Sequence, residues 1–386
     1  MAMLLIRGGN VYLGHGRYET GWDVLCDGPV IRAVGPNLIC EQGEVIEAAG
    51  RNVYPGIVLG LCAVGAMAFS EMGGWDTNET SSPLVPQMDV RDSFDLRELK
   101  LQRFARAGIT SYGLSPGTKA LLAGQVSLIH TDGDHTADVF LAEHIALKGN
   151  YTATVKSAFK DKGTPQTRMA MYQMLDEAFR AAQEYCGKAE KEYDAGKEIL
   201  CRVLRREIPL IIAANSALEI ESVVRLGKKY SLRLVISGAF GVENVLADIM
   251  HQGVHVMLGA GTNMMSALKN RTDLTKLVEW YRRGLLLSIS CSGDEGYVYG
   301  YEQIWWTATQ MSAAGASGEE IMDMMTCNAA RALGVDALVG SLEPGKQADV
   351  IICRGNPAVR FDNYIDQTVV AGKTTFRRGG RPESCC

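Results

Sequence analysis

The sequence predicts an α/β protein, a TIM-like (β/α)8 barrel with a small composite β-sandwich domain formed by both chain termini. Three observations predict it. Short, continuously apolar strand candidates alternate with helical stretches through the middle of the chain, the pattern of a parallel sheet buried on both faces. Eight such strands can be read between residues 57 and 290, the number that closes a barrel. Strand-and-turn sequence occupies both ends, so 1–55 and 340–386 are assigned to the composite domain and 56–339 to the barrel.

Taken in order, LLIRGGNVY, WDVLCDGPVIRAVG with its Gly28-Pro29 turn, and EVIEAAGRNVY read as small antiparallel β structure. The rhythm changes at Gly56. IVLGLC (57–62), ITSYGL (109–114), QVSLIH (125–130), IALKGN (145–150), PLIIAA (209–214), RLVIS (233–237), VHVMLG (254–259) and LLLSIS (285–290) are the barrel strands. Pro165 opens the longest helical stretch, which runs to about Arg206 with Gly187 and Gly196 as candidate breaks. Residues 340–377 return to strands and turns, and no internal repeat is present.

Composition narrows the function classes. At 386 residues with 47% hydrophobic and 22% charged residues, the chain has ordinary globular composition and ample core. A net charge of −5 with acids and bases interspersed offers no basic face, so nucleic acid is not an expected partner. The longest apolar stretch, 53–69, is broken by Pro55, Gly56, Gly60 and Gly65, which excludes a membrane span, and the N-terminus is too short in apolar residues for a signal peptide. A cytoplasmic location is expected. The ten cysteines show no paired C-x-x-C spacing and are expected as free thiols or packing residues.

VIRAVG, AGRNVYPGIV, AGIT, SPGTKALLAGQ (115–125), TRMA (167–170), REIPL (206–210), LRLVI (232–236), TCNAARALGV (326–335) and GSLEPGKQADVII (340–352) together resemble the amidohydrolase superfamily in its imidazolonepropionase-like branch. The resemblance covers nearly the whole chain. It implies a divalent, zinc-like cation at the C-terminal mouth of the barrel, held by neutral imidazoles and carboxylates. Carried over position by position, the paired histidines fall on Leu61 and Ala63, the middle-strand carboxylate on Ala153, and a His-Ala-His on Ala213-Ala214-Asn215. The next histidine falls on Gly238 and the final aspartate near Ser292. None of these side chains is a metal ligand of the required type, so the resemblance implies the fold without its metal, and no cofactor is expected.

Other residues are weighed against this. IHTDGDH (129–135) holds two histidines and two aspartates but reads as a polar Asp-Gly turn. His251 and His255 are separated by Gly253, which ends a helix and keeps them off one face. Lys148, on a middle strand, is a candidate carboxylated bridging ligand or amine nucleophile if it faces inward. Asp294 and Glu295 follow the last strand and are candidate general bases. Cys62 lies between two inward positions and reads as packing. The loop 115–125, with Thr118, Lys119 and Gln125, is the candidate ligand contact, and Glu71, Asp76 and Asn78 lie in the loop after the first barrel strand.

The expectation is a degenerate amidohydrolase, non-hydrolytic, that binds a small organic ligand or acts as a partner or regulatory subunit. Its ligand set is Leu61, Ala63, Thr118, Lys119, Gln125, Asn215, Gly238 and Ser292, and its candidate partners are a second copy of the chain or an active paralogue. The alternative is a metal-independent hydrolase, lyase or isomerase acting on a small cyclic amide or amine through Asp294, Glu295 and Lys148.

Overall fold

The computed structural model describes residues 3–66, 76–97, 101–259, 272–290, 303–360 and 362–379. Five strands open the chain: β1 (Met3–Gly14), β2 (Arg17–Asp27), β3 (Val30–Gly35), β4 (Glu44–Glu47) and β5 (Asn52–Pro55). Eight follow: β6 (Ile57–Cys62), β7 (Ile109–Leu114), β8 (Leu122–His130), β9 (Phe140–Asn150), β10 (Leu210–Ala214), β11 (Leu234–Gly238), β12 (His255–Gly259) and β13 (Leu287–Ser290). Three close it: β14 (Val350–Arg354), β15 (Tyr364–Val370) and β16 (Lys373–Arg377). The connections carry α1 (Leu101–Arg106), α2 (Thr136–Val139), α3 (Ala153–Ala158), α4 (Arg168–Cys186), α5 (Ala195–Leu204) and α6 (Ala217–Tyr230). After them come α7 (Leu246–His251), α8 (Leu274–Arg282), α9 (Gln303–Ala313), α10 (Gly318–Met325) and α11 (Cys327–Leu333).

Strands from both ends build one sheet in the order β16-β15-β14-β5-β1-β2-β3, with β4 also on β1. The expected sandwich is thus hydrogen-bonded as a single sheet, and two of its strands depart from the antiparallel reading. Residues 4–7 of β1 pair in parallel with β4, and Asn10 and Val11 pair in parallel with β5. An irregularity between Ile6 and Gly9, with Gly8 at φ 69°, divides β1 so that one edge serves two partners. Leu4, Ile6, Val24 and Cys26 share a core with Val53, Val350, Ile352 and Val369, so each terminus completes the other.

The barrel strands follow chain order from β6 to β13. All neighbouring pairs are parallel except those of β8, which runs antiparallel to both β7 and β9. This corrects the all-parallel expectation. The reason is connection length: only residues 115–121 separate β7 from β8, whereas a parallel crossover needs about a dozen residues or more. Among the described residues no backbone ladder joins β13 to β6, and the Leu61 N–H donates to Ser290 Oγ at 3.2 Å across that seam.

Alternation sorts the side chains into two layers. Val58, Leu61, Val126, Leu128, Ala146, Ile211, Val235 and Met257 fill the barrel interior, which is floored by Ala329, Ala330 and Leu333 of α11. Leu59, Cys62, Leu147, Ile212, Ile236 and Ile289 face the helices. Each buried Val, Leu, Ile or Met among them contributes about 1.5–3 kcal/mol. The packing reading of Cys62 agrees with this outward position.

The long helical stretch breaks at Gly187, which caps α4, while Gly196 lies in the first turn of α5. Cys186 and Cys201 form a disulfide that joins α4 to α5, with Cα atoms 6.0 Å apart. This corrects the expectation of free thiols for these two. A spacing of fifteen residues with no C-x-x-C signature hid the pair, which the helical hairpin brings together. No helix among the described residues is long and apolar enough to cross a membrane.

Candidate functional site

The mouth of the barrel is the end at which the parallel strands finish. Ser115 follows β7, and its N–H donates to Cys62 O at 3.0 Å, locking the first two strand ends together. Asn150, the last residue of β9, donates from Nδ2 to Gly117 O (3.2 Å) and Ala120 O (2.8 Å). These two bonds hold the 115–121 loop over the strand ends. The loop is tied on its other side by Gly117 N–H to Thr77 O (2.7 Å) and Lys119 N–H to Asn78 Oδ1 (3.1 Å). Ser115 Oγ, Asn150 Oδ1 and Thr152 Oγ1 are buried here without a hydrogen-bond partner. Buried polar atoms are almost always paired, and each one left unpaired costs about 1–3 kcal/mol, so three at the ends of β7 and β9 mark a place suited to an added partner.

Lys148 lies inside. It shares its parity with the interior residue Ala146 and stands opposite Gly124 and beside Ile211, while Leu147 faces the helices. Its side chain is 1% exposed. Gln125 is paired with Leu147 and so takes the outward face. It does not share the interior with Lys148. Ala153 is the first residue of α3, beyond the end of β9, so the middle-strand position nearest the interior belongs to Lys148.

Leu61 joins the dry interior cluster together with Val58, three positions earlier, because the pairing of β6 is irregular between Leu59 and Cys62, and Ala63 is fully buried just past the end of β6. Ala213 points inward with Ile211 yet stays partly solvent-accessible, as does Asn215 next to it. Asn215 is positioned by a capping box at α6: Glu219 Oε2 accepts from the N–H groups of Asn215 and Ser216, both at 3.0 Å, and Ser216 Oγ accepts from Glu219 N–H. Gly238 ends β11 at φ 82°, and a Cβ there would collide with Asn215 Oδ1. Thr118 is partly buried and Lys119 is exposed on the loop. Ser292, Asp294, Glu295 and Glu71 lie outside the described residues.

The six histidines are all placed, and none is at the mouth. His255 begins β12 at the opposite end, hydrogen-bonded through Nε2 to Ser288 Oγ at 3.0 Å. Burial, with Arg331 and Arg233 nearby, pushes it down to about 3. His130 pairs with Asp349 at 3.2 Å, tying β8 to the terminal sheet. His144 sits within β9, which starts earlier than the sequence reading placed it, and contacts Asp89 at 2.7 Å outside the barrel. His15 and His135 are exposed, and His251 ends α7.

Sequence reasoning missed Glu243. It lies in the loop after β11, where its Oε2 is buried without a partner and burial raises its carboxyl above the ordinary range, opposed by Lys276. A lone glutamate in a Val-Glu-Asn stretch carries no spacing signal, and only the fold shows its position.

The sequence model of the amidohydrolase family matches residues 118–375, two thirds of the chain. The chain belongs to the amidohydrolase family. Among amidohydrolases of known structure, one from Thermotoga maritima MSB8 superposes with a TM-score of 0.87 at 24% identity, covering 97% of this chain and 100% of that one. A prolidase solved with N-methylphosphonate-L-proline superposes at 0.59 with 14% identity, covering 98% and 100%. At these identities the likeness is one of amidohydrolase fold. A dihydroorotase from Streptomyces coelicolor is 47% identical over 58 residues, which is 15% of this chain and 12% of the dihydroorotase. The matched stretch thus spans about an eighth of that relative.

Proposed function

We propose that this amidohydrolase-family protein has a barrel mouth rebuilt for binding a small organic ligand, without the metal-dependent hydrolysis the family fold implies. The observation that carries this reading is the side-chain chemistry of the strand ends. A zinc-like ion needs imidazoles, thiolates or carboxylates converging from several strands. The mouth offers Leu61, Ala63, Ser115, Asn150, Ala213, Asn215 and Gly238 among the described residues, and no histidine. These residues do not fit such an ion, and no step is routed through one.

They do suit a neutral, polar ring. Asn150 Oδ1, Ser115 Oγ and Thr152 Oγ1 supply hydrogen-bonding atoms with unused capacity, Leu61 supplies an apolar floor, and Ala213 and Asn215 retain access to solvent. The soluble, cytoplasmic role as a binding subunit, alone or beside a second copy or an active relative, belongs to the same proposal.

A second reading is favoured by Glu243 and Lys148. A carboxyl whose affinity for a proton is raised by burial at the rim and an amine in the barrel interior are groups that metal-free acid–base chemistry on a cyclic amide or amine would use.

Thermal unfolding with hydantoin, 2-pyrrolidone and succinimide separates these readings when each compound is also assayed for ring opening. Binding predicts a rise in Tm in wild type that Asn150→Ala or Asn215→Ala removes, with no turnover in the presence or absence of zinc. Zinc- or manganese-stimulated ring opening overturns the proposal. Metal-independent turnover abolished by Glu243→Gln selects the second reading.

A further inference from the structure

Metal-type donors do converge in this protein, but at the seam between the terminal sheet and the helices that floor the barrel. His15, Asp323 and Cys327 each present one ligand atom there, and these atoms all lie within 4.8 Å of one another. They come from distant parts of the chain. His15 forms the tip of the β1–β2 turn, whereas Asp323 lies in α10 and Cys327 opens α11 across the non-helical Thr326, whose break brings the two side chains together.

The turn is pressed onto the helices. The His15 N–H donates to Asp323 Oδ1 at 2.8 Å, Tyr12 OH donates to the same oxygen at 2.8 Å, and Gly16 N–H donates to Tyr12 OH at 2.8 Å. A Cβ on Gly14 would lie 2.7 Å from Cys327 Sγ, so only glycine permits this approach. His15 itself holds φ 56°, a left-handed conformation that a bulky side chain rarely adopts, and it carries the imidazole into the cluster.

A cavity of about 220 Å³ opens beside these donors, lined in part by His15, Cys327, Asp336, Ser341, Glu343 and Lys346. Its charge favours a cation. Asp336 and Glu343 line it with the one ammonium of Lys346, which is already engaged by Ser341 Oγ at 2.6 Å and by Glu343 at 3.2 Å.

We propose that His15, Asp323 and Cys327 form a zinc-class cation site that clamps the β1–β2 turn to α10 and α11, with its fourth coordination place open to the cavity. One imidazole, one carboxylate and one thiol are a donor set suited to a borderline-soft divalent ion, in contrast to the all-oxygen sets of magnesium and calcium. Ligands about 2.0–2.3 Å from a tetrahedral zinc stand roughly 3.3–3.8 Å apart, so the three donors need to close by about an ångström. Coordination replaces the Cys327 S–H bond by S–Zn and releases that proton to solvent. The hydrogen bond from Cys327 Sγ to Gly340 O, 2.9 Å in the structure, is then lost. This site is independent of the mouth and of the function proposed for it.

The test uses full-length, untagged protein freed of metal by chelator and titrated with zinc by calorimetry and thermal unfolding. Wild type should bind one zinc per chain and gain about 4 °C in Tm at a hundredfold excess over Kd. His15→Asn keeps a residue that tolerates the left-handed turn, so it should fold as wild type does and lose both responses. Cys327→Ser should weaken binding at least tenfold. Absence of a zinc response in wild type overturns the proposal, and so does undiminished binding in His15→Asn, which would place the ion elsewhere.

Discussion

His255 reaches into the foot of the barrel as a neutral imidazole, because its buried position beside Ser288 gives an added proton no solvation. Its folded value near 3 lies below the ordinary 6.5, so the unfolded chain takes up the proton first as pH falls. Stability is therefore whole above about pH 6.5 and drains away between 6.5 and 3. Urea unfolding should show this one residue costing about 2 kcal/mol between pH 7 and pH 5, with His255→Gln flattening that slope. At the other end, Leu61→His in a His15→Asn background should not create zinc binding, since one imidazole among Ser, Asn and Gly lacks partners. It should cost about 2–4 kcal/mol by placing a polar ring in the dry interior, and calorimetric zinc titration with urea unfolding reads both outcomes. The opposite aims of Leu61 and Cys62 were legible from the family resemblance, whereas strict alternation from the inward Val58 would have turned Leu61 outward, and the irregularity after Leu59 that reverses this leaves no mark in the sequence. Ser115, Asn150 and Thr152 were not legible, because what distinguishes them is hydrogen bonds left unmade, and no residue pattern records that.

At the scale of elements, the α4–α5 hairpin depends on its cross-link. Closing a loop of fifteen residues should contribute about 3 kcal/mol, so urea unfolding with and without reductant, or of Cys201→Ser, should reveal a loss of that size. Thiol titration of denatured protein should find two more reactive sulfurs after reduction, and equal counts before and after would mean that the bond does not form. Because such bonds persist mainly in oxidising surroundings, the same count on protein taken directly from cells bears on the expected cytoplasmic location. Seven of the eight barrel strands were legible in both position and direction from apolar runs bounded by turns. β8 was legible only in position: its apolar run looks the same read in either direction, and the seven-residue connection before it was the clue to its reversal. The parallel pairing of β4 and β5 with β1 was hidden for a similar reason, since the sequence marks turns but not which edge of a bulged strand a later segment will choose.

For the whole molecule, the terminal sheet is a joint product of residues fifty and three hundred and fifty positions along the chain, with β14 the direct neighbour of β5. Truncation after residue 345 should leave the β5 edge unpaired and uncover Val53, Val11 and their neighbours, and the truncated chain should accumulate as insoluble protein where full-length protein is soluble. Recovery of a soluble, monomeric, cooperatively unfolding fragment would show that the N-terminal strands suffice. The reversed β8 also bears on how such a chain comes together in time. β7, β8 and β9 form an up-and-down meander within residues 109–150, whereas every other barrel pairing must wait for an intervening crossover to close. Contacts close in sequence forfeit less chain freedom and form sooner. The meander should thus be the first part of the barrel to acquire slow amide exchange during refolding, milliseconds to seconds ahead of β10 to β13, and it gives the remaining strands an edge on which to add one after another.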